Sequence, residues 1–190
     1  MGAHKQSMAF TEHAETLAGK ILMQEVAIFD GQKEEYADLA VFLAALRAVH
    51  MIHQTHHWQS HGKEFYGDHL LFQRLYEAIA PEIDSVAEKL VGLGGIATTN
   101  YFAQIHHMEA FQKAVTGKNQ PIAEVSLLAE ATLMAMARLV LLRLSELNTG
   151  TVKFGGLRSL LTPGLENMIQ GILDLHESHL YLLGQRLASH

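Results

Sequence analysis

At 190 residues, 48% hydrophobic and 18% charged, the chain has the length of one domain and enough apolar side chains for a substantial core, which excludes intrinsic disorder. Zero cysteines exclude disulfides, thiolate metal sites and thiol catalysis, and leave His, Asp and Glu as the strong metal ligands. A net charge of −6 weighs against a nucleic-acid partner, while thirteen histidines are an unusual excess of a residue able to bind metal.

No run of about 18 apolar residues is free of charge or histidine, and the start lacks the apolar core of a signal peptide, so no membrane span and a cytoplasmic location are expected. The chain reads as a single domain, 1–190, with an N-terminal arm over 1–32 and a helical bundle over 33–187. The arm mixes polar residues with an apolar patch from Ile21 to Phe29 that suits packing on the body or on a neighbour. It is acidic: before Tyr36, Lys5, Lys20 and Lys33 face Glu12, Glu15, Glu25, Asp30, Glu34 and Glu35.

From Gln32 to His61, Leu39, Phe42, Leu43, Leu46, Val49 and Ile52 recur at helical spacing with no Gly or Pro between them, which predicts a first long helix. A second is predicted from about Asp68, as N-cap, to Leu93, ending at Gly94-Gly95. The connection Ile96–Gln120 is long enough to cross the bundle and contains a candidate short helix, Gln104–Val115. A third helix, about Pro121–Asn148, carries LLAEATLMAMARLVLLRL, apolar nearly all round, and belongs at the centre with Met134 and Met136 as core filler. A Gly- and Thr-rich loop then leads to a fourth, about Pro163–Leu187. The expected fold is all-α: a ferritin-like four-helix bundle with a long crossover between helices 2 and 3.

Asp84 and Glu88 stand four apart on the second helix and share a face on which they can jointly grip a cation. His57 and His69 lie upstream, either side of a break near Gly62 and Gly67. A helix rise of ~1.5 Å per residue puts His69 roughly 22 Å from Asp84, and the proline at 81 kinks a helix without reversing it. Either the four residues are unrelated, as solvated surface and ordinary histidines, or the histidines of one chain meet the carboxylates of another. A two-fold dimer would then hold two identical sites. Mixed nitrogen and oxygen ligands with open positions suit Fe(II) better than a closed structural zinc site.

The pattern HW-x3-G-x2-F-x3-H-x14-D-x3-E-x4-LGG, unbroken from His57 to Gly95, resembles the mini-ferritins of the Dps family, DNA-binding proteins from starved cells. The likeness resumes at HESHLYLL, residues 176–183, with Tyr181 at a usual tryptophan. The resemblance implies a hollow homo-oligomeric shell, a dodecamer, with a dinuclear ferroxidase centre at each two-fold interface. There His57 and His69 of one subunit, with Trp58 beside them, and Asp84 and Glu88 of its mate bind iron and oxidise Fe(II) with hydrogen peroxide or dioxygen. Trp58 also has an ordinary reading as core. Ordinary ferritins instead carry Glu-x-x-His within one chain, a motif absent here.

Two departures qualify this expectation. Extra histidines, His50, His53 and His61 on the first helix and His176 and His179 on the fourth, offer further nitrogen. His53 and His176 are the candidates to join the metal site, and added imidazole would favour zinc at the same place. Leu70, Gln73 and Arg74, and Thr162 and Asn167, stand where relatives place acids on the inner surface and at the three-fold pore, so long-term iron storage is expected to be weak. The rival readings are a DNA-compacting shell, disfavoured by the acidic arm, and a zinc-loaded structural cage.

Overall fold

The computed structural model describes residues 2–23, 34–151 and 160–188; part of the Ile21–Phe29 patch lies outside them. Six α-helices carry the fold: α1 Gly2–Met23, α2 Ala37–Gln59, α3 Phe65–Gly94, α4 Tyr101–Val115, α5 Ile122–Thr151 and α6 Pro163–Ala188, with no strand among the described residues. Helices α2, α3, α5 and α6 form the predicted four-helix bundle, in which α2 pairs with α3 and α5 with α6.

The apolar stripe of α2 is buried as its spacing requires, Leu39, Phe42, Leu46 and Val49 being wholly inaccessible. It meets Leu133, Met136 and Val140 of α5 in one core. By length and composition α5 could cross a membrane, but 67% of its most apolar window is buried, so its apolar faces are used by the bundle itself. Between these two helices Arg143 donates to both carboxylate oxygens of Asp38 at 2.9 Å, neutralising an acid in the first turn of α2.

The turn from α2 to α3 needs Gly62, whose φ of 80° is a left-handed conformation that side chains disfavour. Helix α3 then begins three residues earlier than predicted. Asp68 lies inside it, buried, and pairs through both oxygens with Arg186 near the end of α6. A cap is thus replaced by an ion pair that ties the two helices, a role set by a residue 118 positions away. Helix α3 continues unbroken through Pro81 to Gly94. There a Cβ would meet Thr98 Cγ2 at 2.6 Å, and Gly95 turns the chain with φ 87°.

The crossover is ordered. Asn100 caps α4 by accepting from the amides of Phe102 and Ala103, and Gln104 donates to the Ala40 carbonyl of α2 at 3.0 Å. Within the N-terminal arm, α1 buries Ala14, Ala18, Ile21 and Leu22, chiefly where it lies along α5.

Candidate metal centre

Helix α5 delivers a single carboxylate, Glu130, into its otherwise apolar middle, where it is completely buried. A buried carboxylate needs compensating donors. Three imidazoles supply them: His53 Nε2 of α2 lies 2.7 Å from Oε1, His179 Nδ1 of α6 lies 3.0 Å from the same oxygen, and His176 Nδ1 of α6 contacts Oε2. His176 Nε2 continues to Glu82 of α3 at 3.0 Å, so all four bundle helices contribute.

A consistent proton arrangement follows from the partners. His176 faces a carboxylate at each nitrogen and donates from both, as an imidazolium. His53 donates to Glu130 and accepts at Nδ1 from the Ser126 hydroxyl, 3.1 Å away, whose oxygen accepts in turn from His56 Nδ1 at 2.7 Å. His179 donates to Glu130, and its Nε2, buried, has no hydrogen-bond partner among the described residues.

The charges follow this geometry. Burial pushes the His176 imidazole down, but the charge of Glu130 and the hydrogen bonds to Glu130 and Glu82 outweigh it and raise it to about 10. Burial likewise pushes Glu130 up, and the charge of His176 with the bonds from His176, His179 and His53 holds it well below the usual carboxylate range. His56 faces no carboxylate in this network, and burial, then the nearby His53, lowers it to about 4.

A second constellation lies at the α2–α3 corner. The rings of His57 and His69 stack with centroids 3.7 Å apart. His57 Nδ1 donates to the His69 carbonyl at 2.8 Å, and His69 Nδ1 donates to the His57 carbonyl at 3.0 Å. With each N–H fixed at Nδ1, each Nε2 carries a lone pair, the tautomer a metal requires. Tyr76 meets the edge of His57, and Phe65 stacks on His69. Trp58, next in sequence, is 68% exposed and so is not core in the single chain.

Asp84 and Glu88 lie on α3, both exposed in the single chain. Because α3 is one continuous helix, the rise of ~1.5 Å per residue keeps Asp84 roughly 22 Å from His69, and the chain does not bring the four residues together by itself. His53 and His176, the candidates for added nitrogen, lie instead in the bundle interior with both ring nitrogens engaged.

Sequence reasoning passed over Glu130, Glu82, Ser126 and His56. The signal was present: Glu130 is the lone acid in an 18-residue apolar run, and a charge there demands partners. His53-x-x-His56 and His176-x-x-His179 were the partners on offer.

No family model matches the chain. It is 28% identical over 102 residues to the nutrient stress-induced DNA-binding protein of Nostoc sp., an alignment covering 53% of this chain and 55% of the relative. It is 33% identical over 54 residues to the Synechococcus protein of the same name, covering 28% and 31%. The chain thus spans about half the length of the first relative and under a third of the second. In three dimensions it is similar to the Dps protein of Vibrio cholerae O1, described as a member of a broad superfamily of ferritin-like diiron-carboxylate proteins. The TM-score is 0.57 at 16% identity, over 93% of this chain and 92% of that one.

Proposed function

We propose that this chain, which belongs to the Dps family of ferritin-like proteins, oxidises Fe(II) at dinuclear sites shared between two copies and sequesters the product inside a homo-oligomeric shell. The observation that carries the reading is the His57–His69 pair: two neighbouring imidazoles with Nδ1 committed to carbonyls and Nε2 available, beside a large exposed aromatic. Iron-ligating oxygen must come from elsewhere, and Asp84 and Glu88 of a second copy supply it in a two-fold arrangement, with Glu88 bridging.

Iron is the substrate. Two Fe(II) ions give up one electron each, and one hydrogen peroxide takes both with two protons to form two waters; dioxygen is the alternative acceptor. The histidines, each held by the backbone of the other's helix, fix ion position without rearrangement. Twelve subunits in a closed shell are the assembly proposed, in a cytoplasmic setting that suits a chain without cysteine.

Storage is proposed to be the weaker half of the activity. Leu70 is exposed and Gln73 donates to Glu77 at 2.8 Å, so these positions add no carboxylate of their own to a mineral surface. DNA binding is a second reading, favoured by the names of the relatives. The acidic balance of the chain makes phosphate binding weak and salt-labile, and a gel shift across a salt series tests it.

The test of the main reading is Fe(III) formation after anaerobic loading and addition of peroxide. The wild-type shell oxidises two irons per site, and His57→Ala/His69→Ala slows the reaction at least tenfold. A shell that binds zinc and turns over no iron contradicts the proposal.

A further inference from the structure

The interior cluster lies outside the surface site just proposed and has a donor set of its own. We propose that each chain holds a second metal site inside the bundle, where Glu130, His176 and His179 bind one first-row divalent cation of borderline softness, with His53 as the fourth ligand.

Three observations carry this. One ligand atom from each of Glu130, His176 and His179 lies within 4.8 Å of the other two, and His53 Nε2 is 2.7 Å from the carboxylate. A tetrahedral ion with ligand bonds near ~2.1 Å needs its donors roughly 3.4 Å apart, so small side-chain shifts close the shell. Three imidazole nitrogens and one carboxylate oxygen match such a cation and not the all-oxygen shell of Mg²⁺ or Ca²⁺.

The outer partners are those that a ligating histidine uses. Glu82 can take the His176 N–H at Nε2, leaving Nδ1 for the ion, and Ser126 can take that of His53 at Nδ1, leaving Nε2. His179 is the second, independent sign. It is 1% exposed, and its Nε2 has no hydrogen-bond partner among the described residues, so this ring is not fully committed to the network.

The cluster also touches the surface through Glu82. A cavity of about 220 Å³ between α3 and α6 is lined by Glu82, Ser85 and Met168, so the carboxylate that holds His176 faces it. It adjoins a larger one of about 540 Å³ that shares Ser85 and Met168 and includes Glu88. Glu82, partly exposed, therefore links this face of α3 to His176.

The test uses Co(II) alone, added anaerobically to the full-length assembled His57→Ala/His69→Ala variant, so that failure of the surface site does not affect the result. One Co(II) per chain should bind and give the intense visible bands of four-coordinate, nitrogen-rich cobalt. Adding Glu130→Gln should weaken that binding at least tenfold. If Glu130→Gln perturbs folding, His179→Gln, which leaves the His176–Glu130 and His53–Glu130 pairs in place, should do the same and shift the bands. A folded double variant that takes up no four-coordinate Co(II), or bands unchanged by His179→Gln, would show the cluster to be a charge-balanced hydrogen-bond network only.

Discussion

His57 and His69 hold each other by exchange: each imidazole donates from Nδ1 to the backbone carbonyl of the other, and the two rings stack at 3.7 Å. This double tie bridges the end of α2 and the start of α3 across the Gly62 turn. It leaves two Nε2 lone pairs at a corner of the bundle, beside a tryptophan with most of its surface uncovered.

Trp58 makes that corner observable, because the chain contains no other tryptophan. Anaerobic Fe(II) should quench its fluorescence with an endpoint near two irons per site, and oxidant should change the emission again. Asp84→Ala/Glu88→Ala should remove the quench even though both residues lie roughly 22 Å or more along α3 from His69 in the same chain. A full wild-type titration in that variant would show that metal near Trp58 is held without those carboxylates.

Iron retention should lag behind oxidation. Restoring acids as Leu70→Glu/Gln73→Glu should raise the iron kept per oligomer severalfold while changing the initial oxidation rate little, since neither side chain takes part in the His57–His69 exchange. A wild-type shell that fills with a large mineral core would contradict the assignment of these positions.

The metal-free protein should be most stable near pH 6.5 as far as His56 and His176 govern it. His176 titrates at about 10 when folded, against 6.5 for an unperturbed imidazole, so its contribution is complete below about 6.5 and is lost as pH rises toward 10. His56 is lowered to about 4, so its contribution is present above 6.5 and is lost as pH falls toward 4. Thermal melts in chelator should decline on both sides. His176→Gln should flatten the alkaline limb and His56→Gln the acid limb; limbs that keep their slopes in these variants would contradict the proton assignment.

The bundle was legible because its signals are local. The stripe on α2, the Gly94-Gly95 stop and the apolar run of α5 each specify an element without reference to the rest of the chain. Asp68 was misread for the opposite reason: an acid near a helix start resembles a cap, and only the arrival of Arg186 from α6 makes it an internal ion pair. The interior cluster was hidden in the same way. His53, Glu130 and His176 are far apart in sequence, and only packing turns one acid and several histidines into a network. The surface pair, twelve residues apart across one tight turn, was legible from spacing, but its proposed carboxylate partners belong to another chain.

The shared site is tested most directly by reassembling mixed shells from two inactive proteins, His57→Ala/His69→Ala and Asp84→Ala/Glu88→Ala. Each mixed dimer regains one of its two sites with all four ligands intact. The account predicts that mixtures recover Fe(II) oxidation, to roughly a quarter of the wild-type sites at equal mixing by two-fold symmetry. Mixed shells that assemble yet stay as inactive as either parent would contradict it.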